Sequence, residues 1–148
     1  MKILIMGLPG SGKTTLAKSL KQKLDHCIHL NADEIRKEYD DWDFSVEGRL
    51  RQANRMSSLA DKHLKKVKYV ICDFVCPTSN TRDLLKPDYI VFMNTINKSI
   101  YEDTNKVFET PKFDFEVKHK DAEMYSFLIK QDMIKWILKM IEYPLDKI

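Results

Sequence analysis

The residues best suited to chemistry stand near the start of the chain, where Gly7-Leu8-Pro9-Gly10-Ser11-Gly12-Lys13-Thr14-Thr15 follows the apolar run Ile3-Leu4-Ile5-Met6. Glycines at 7, 10 and 12 can take positive φ values that turn successive backbone N–H groups inward, and a row of such groups makes a nest for a polyanion. Lys13 adds an ammonium that can reach the outer phosphates of a nucleotide, and Thr14 adds a hydroxyl suited to Mg2+. A helix starting at Lys13 would point its positive end at the same charge. The segment fits the Walker A pattern, and the expectation is that residues 7–15 bind the phosphates of ATP together with Mg2+.

Three further groups of residues suit phosphoryl chemistry. In Asn31-Ala32-Asp33-Glu34-Ile35-Arg36, the three-residue spacing sets Asp33 and Arg36 on one helix face. A carboxylate there can orient or deprotonate an acceptor hydroxyl, and an arginine can hold an acceptor anion; a capping aspartate with a solvent-facing arginine would give the same letters. After Phe44, Ser45 can cap a helix on which Arg49, Gln52 and Arg55 recur every third residue, a candidate cradle with Phe44 free to stack, or else an ordinary solvated face. Tyr69-Val70-Ile71-Cys72 is an apolar strand ending in Asp73, a carboxylate that with Thr14 could hold the metal shell, or simply form a turn. Cys27, Cys72 and Cys76 lack metal-ligand spacing; Cys27 and Cys72 fall in expected strands and read as small buried residues, and the scattered His26, His29, His63 and His119 are each expected in a surface or packing role.

These groups need a scaffold that brings distant segments to one edge, and the order of elements supplies it. Strands are expected near Lys2–Met6, Cys27–Leu30, Lys68–Asp73 and Tyr89–Met93, with a short one at Phe113–Val117. Helices are expected near Lys13–Leu24, Ala32–Tyr39, Val46–Lys65 and Ser79–Leu85, and a closing helix runs from Asp121 to about Ile141 with Tyr125, Leu128, Met133, Trp136, Ile137 and Met140 on its packed stripe. Alternation of this kind gives an α/β fold with a mainly parallel sheet in a single domain, 1–148. A charge of +3, from 25 basic and 22 acidic residues, is too balanced for a nucleic-acid coat, and the apolar runs are too short to span a membrane. Cytoplasmic residence is the default expectation.

Taken in order, Gly7–Thr15, Asp33-x-x-Arg36, Phe44-Ser45-x-Glu47-x-Arg49 and Phe74-Val75-Cys76-Pro77 resemble the motifs of adenylylsulfate (APS) kinases. The resemblance implies a P-loop NTPase fold, a three-layer sandwich with a mainly parallel five-stranded sheet and helices on both faces. It implies that ATP phosphorylates the 3′-hydroxyl of adenosine 5′-phosphosulfate, giving PAPS and ADP. By resemblance Lys13 and Asp33 are catalytic, Asp33 serving the acceptor hydroxyl, while Arg36 and Arg49 hold the phosphosulfate. Gln52 stands for an acceptor-binding asparagine, and Phe44 packs on the adenine. Two departures mark the chain as a short, divergent, phage-type variant: Cys76 replaces the serine of the last motif, and the basic lid of the family is not recognisable. Residues 94–111 take the lid's place, with Lys98 and Lys106 as its cations and no arginine. The alternatives are a kinase for another nucleotide or a polynucleotide 5′-end, nucleic acid being less favoured, and a nucleotide-binding protein without catalysis. Pairing of two copies into a homodimer is compatible with each of these.

Overall fold

A computed structural model describes residues 1–142; residues 143–148, part of the expected single domain 1–148, lie outside the described residues. The chain runs β1 (Lys2–Met6), α1 (Lys13–Lys23), β2 (Cys27–Asn31), α2 (Ala32–Tyr39), α3 (Val46–Leu64), β3 (Tyr69–Asp73), α4 (Ser79–Leu85), β4 (Tyr89–Met93), α5 (Glu102–Val107), β5 (Phe115–Val117) and α6 (Ala122–Glu142). The strands form one sheet in the order β2-β3-β1-β4-β5, and every pairing is parallel. This is the five-stranded P-loop sandwich that the motifs imply.

The two cores follow from strand alternation. Ile3 and Ile5 of β1 face one side, where Leu16, Leu20, Ile129 and Met133 bring in α1 and α6. Leu4 and Met6 face the other, packed with Ile35, Met56 and Leu85 from α2, α3 and α4. Because both faces are covered, each central strand is an unbroken apolar run, which makes it legible in the sequence.

Parallel register carries all strand ends to the same edge. Asn31 of β2 pairs with Asp73 of β3, and Asp73 pairs with Ile5 of β1, next to the loop that begins at Gly7. Three residues remote in sequence thus meet at the carboxyl edge, where ligands bind in open α/β sheets.

Some expectations shift. A short helix, α5, lies within residues 94–111; its single turn and a half is too brief for a periodic signal. Phe113 stays outside β5, half exposed and tilted against Phe92. Leu128, expected on the packed stripe of α6, is exposed. Cys72 and Cys76 are buried as packing residues, while Cys27 is half-buried. No helix among the described residues is long and apolar enough to cross a membrane.

Candidate functional site

The loop between β1 and α1 has the backbone its glycines anticipate, with Gly10 at φ 84° and Gly12 at φ 100°. Gly12 is the N-cap of α1 in the left-handed region, where a Cβ is costly. Lys13 folds back, its Nζ donating to the Leu8 carbonyl at 3.0 Å. Burial holds the ammonium below its ordinary pKa, opposed by the nearby carboxylates of Asp73 and Asp33. The negative charge of a phosphate chain would offset that desolvation and draw the lysine off Leu8.

Thr14 and Asp73, expected together at a metal, are together. Thr14 Oγ1 donates to Asp73 Oδ2 at 2.7 Å, and Asn31 Nδ2 donates to the same oxygen at 3.0 Å. His29 Nε2 lies 3.1 Å from it as well. Asp73 is only 3% exposed, so these partners fix its orientation. Among the described residues no cluster of three His, Cys, Asp or Glu side chains could hold a metal by itself. The hydroxyl of Thr14 and the carboxylate of Asp73 are hard oxygen donors, which suits a Mg2+ whose remaining shell comes from phosphates and water.

His29, expected in a surface or packing role, packs with its Nε2 within hydrogen-bond distance of Asp73. Residues 29 and 31 share one face of β2, and the β2/β3 register sets that face beside Asp73. Strand pairing across distant segments is not written in local sequence, which is why His29 and Asn31 were missed.

Beyond the phosphate loop opens a cleft of about 1180 Å3, lined by Lys13, Thr14, Asp33, Arg36, Phe44 and Arg49 among others. Asn31 caps α2 by accepting from the Glu34 N–H at 3.0 Å, so Asp33 is not the capping residue and its exposed carboxylate is free to face the cleft. Arg36 is not solvent-facing: it is 3% exposed, Nη1 donates to the carbonyls of Asp41 and Asp43, and its guanidinium lies 4.3 Å from the Phe44 ring centre. The Arg49 guanidinium also lies over that ring, at 5.7 Å, and Phe44 stays 46% exposed at the cleft. Arg49 Nε donates to the Phe44 carbonyl at 2.8 Å, and Nη2 pairs with Asp103 at 3.3 Å.

The cradle of Arg49, Gln52 and Arg55 does not form. Steps of three residues drift by about 60° each on an α-helix, so the three side chains diverge. Gln52 is fully buried, away from the cleft, donating to the Ala32 carbonyl at 2.9 Å and accepting from Arg55 at 2.7 Å. Arg55 turns to Asp41 and the Tyr39 ring. Asp41, gripped by Arg51 and Arg55, has its carboxyl held far below the usual range by those hydrogen bonds. The knot fastens the loop that carries Trp42 and Phe44.

Residues 94–111 cover the cleft from the opposite side. Thr95 Oγ1 donates to the Ser11 carbonyl at 2.7 Å, tying the segment to the phosphate loop. Its far end is held by Glu109 N–H to the Pro77 carbonyl at 2.7 Å and by Arg82, which donates to the carbonyls of Pro77 and Glu109. Lys98 lines the cleft whereas Lys106 does not, and Lys120, from the loop before α6, supplies a cation the sequence reading did not single out. A smaller cavity of about 100 Å3, lined by Gly12, Thr15, Leu16 and Lys120 among others, adjoins the start of α1.

The profile described as Adenylylsulphate kinase matches residues 1–106. A putative adenylate kinase of Methanocaldococcus jannaschii is 28% identical over 114 residues, covering 76% of this chain but only 62% of that protein. The chain therefore matches less than two thirds of that relative's length. Among solved structures, the Mycobacterium tuberculosis APS kinase in complex with AMPPNP and APS superposes with a TM-score of 0.73 at 17% identity, covering 89% of this chain and 96% of that one. Shikimate kinase from Acinetobacter baumannii in complex with shikimate gives 0.60 at 16% identity, covering 90% and 93%. At such identities the likeness is one of fold.

Proposed function

Because the chain belongs to the adenylylsulphate kinase family, we propose that it transfers the γ-phosphoryl group of ATP to the 3′-hydroxyl of APS, releasing PAPS and ADP. The observation that carries this reading is one continuous cleft with Lys13, Thr14 and Asp73 at its phosphate end and the free carboxylate of Asp33 beside Arg36, Arg49 and Phe44.

Residues 7–15 cradle the donor phosphates, chiefly through their backbone N–H groups, and Lys13 moves from Leu8 onto them. Thr14 and Asp73 would hold Mg2+, which would supply positive charge to the transferring phosphate. The donor base takes the small cavity beside Gly12 and Thr15. Asp33 accepts the proton of the attacking hydroxyl. Arg49 gives up Asp103 for the acceptor's anion, Arg36 offers the donors it has left, and the exposed part of the Phe44 ring meets the adenine. Lys98 and Lys120 stand in for the missing lid arginines. Gln52, buried behind α2, serves by holding that helix and not by touching the acceptor.

A second acceptor class has one observation in its favour. Asp103 next to Arg49 lowers the positive charge where phosphosulfate would sit, and Trp42 and Tyr101 expose aromatic surface at the same end. The reduced charge suits an acceptor less anionic than APS, and the aromatic surface suits another nucleotide base. The test is transfer of radiolabelled γ-phosphate from Mg·ATP to APS, AMP and a 5′-hydroxyl oligonucleotide in parallel, with Lys13→Ala as blank. PAPS as the preferred product supports the proposal. Label on AMP or the oligonucleotide alone replaces the acceptor, and ATP binding without transfer to any of them leaves a binding protein.

A further inference from the structure

Arg82 is a buried cation with no part in the phosphate site. It stands in α4, 8% exposed, and every hydrogen bond its side chain makes among the described residues goes to a main-chain carbonyl. Helical side chains lean towards the N-terminus of their helix, so its guanidinium reaches back over the turn that follows β3. There Nε donates to the Cys76 carbonyl at 3.1 Å and Nη2 to the Pro77 carbonyl at 3.0 Å. The same Nη2 donates to the Glu109 carbonyl, and the guanidinium lies 5.8 Å from the Phe108 ring centre. One fork thus fastens two chain segments. The first, with Phe74, Val75 and Pro77, lines one side of the cleft; the second is the far end of residues 94–111, which cover it. The fastening runs on to the acceptor arginine, since the Phe108 N–H donates to the Thr104 carbonyl at 3.0 Å and Thr104 Oγ1 receives Arg49 Nη2 at 3.5 Å.

We propose that Arg82 is a positioning residue that sets the width of the cleft at its acceptor end, holding both walls in register without touching a ligand. The fastened turn is a strained one. Cys76 holds φ 47°, a left-handed conformation that disfavours a residue with a Cβ by about tenfold, and such a conformation persists only where its surroundings over-determine it. A lysine in place of Arg82 keeps the charge but loses the planar fork, so it cannot serve carbonyls on both segments at once. Released, the turn would keep its present form in about one molecule in ten, and the apparent affinity of whatever binds against it would fall by the same factor. ATP should be indifferent, because Thr95 ties the near end of residues 94–111 to the phosphate loop independently of Arg82. The effect on the acceptor rests on the kinase reading above; the loosening of the two walls does not.

Residue-resolved amide exchange of Arg82→Lys, beside steady-state kinetics with whichever acceptor the wild type uses, tests this. The Glu109 N–H, which donates to the Pro77 carbonyl, should exchange about tenfold faster, with the amides of β1, β3 and β4 unchanged. The acceptor KM should rise about tenfold with ATP affinity as in wild type. If Arg82→Lys does not fold, Glu109→Pro opens the same fastening from an exposed site and should raise the KM alike, since Phe108 at φ −68° and ψ 119° accepts a following proline. Unchanged exchange at Glu109, or a lowered thermal transition with the acceptor KM of wild type, overturns the proposal. Should the wild type phosphorylate no acceptor, the kinase reading fails and the exchange at Glu109 alone decides the role of Arg82.

Discussion

Replacing Gly48 by alanine separates positioning of the acceptor loop from stability of the fold. Gly48 lies in the first turn of α3 against the returning loop, and a Cβ built there sits 2.2 Å from the Asp43 carbonyl oxygen and 2.7 Å from its carbonyl carbon. An ordinary contact needs over 1 Å more, and because the obstacle is backbone the loop itself must move. The net loss in overall stability should be about 0–2 kcal/mol, since alanine favours a helix over glycine by about 1 kcal/mol against strain of about 1–3 kcal/mol. The effect on binding should be large. That loop supplies both carbonyls that hold Arg36, the carbonyl that holds Arg49, and the Phe44 and Trp42 side chains. Displacement by about 1 Å at such a site can cost on the order of a hundredfold. The expected result is a KM for the acceptor raised at least about tenfold, ATP affinity unchanged, and altered emission from Trp42. An unchanged acceptor KM with a normal thermal transition would refute the claim that this contact sets the loop.

Other outcomes follow from the same geometry. Asp33→Asn should lower transfer by about 10²–10⁴ while leaving ATP binding intact, because the carboxylate faces the cleft and caps nothing; rapid-quench turnover beside nucleotide titration checks both halves. His29→Ala should weaken divalent-metal binding about tenfold, read by Mn2+ titration in the presence of ATP, since Asp73 would keep only its Thr14 and Asn31 partners. Equal Mn2+ affinity in the two proteins would leave His29 as a packing residue. Burial pushes the thiols of Cys72 and Cys76 up to about 12 from an ordinary 9.0. The unfolded chain then loses these protons first, so their contribution is complete below pH 9 and declines as pH rises towards 12, by about 1.4 kcal/mol per pH unit for each thiol. Denaturant melts across that range should follow the decline in wild type, and Cys72→Ala should lessen its slope by about 1.4 kcal/mol per pH unit, the Cys76 share remaining.

What could be read from the sequence was local or repeated. The phosphate loop is a chemical pattern in consecutive residues, and buried parallel strands are apolar runs, so both stand out without knowledge of the fold. The arginines show where such reading stops. Arg36 and Arg49 look alike in sequence as anion ligands, yet each spends donors on carbonyls of the loop between α2 and α3, a contact that exists only after that loop closes. Gln52 shared a regular spacing with Arg49, but helical drift carried it into the interface under α2. His29 and Lys120 join the site through strand pairing and through the approach to α6, neither of which leaves a local trace.

The acceptor end is also coupled to the segment that covers it. Arg49 is one of the few links from α3 to α5, through Asp103 at 3.3 Å and Thr104 Oγ1 at 3.5 Å. Asp103 is two-thirds exposed, and a pair of that kind is worth at most about 1 kcal/mol. A phosphate or sulfate that forms two charge-assisted bonds to Arg49 outweighs it, so an anionic acceptor would displace Asp103 at little cost and free α5 to move. The ends of residues 94–111 are held elsewhere, by Thr95 on the phosphate loop and by Glu109 beneath Arg82. Movement would therefore be confined to the middle, around Lys98 and Tyr101, where the cleft is lined. A neutral acceptor has no means of breaking the Arg49–Asp103 contact, so on the proposed reading only an acceptor that brings a compact anion would release α5.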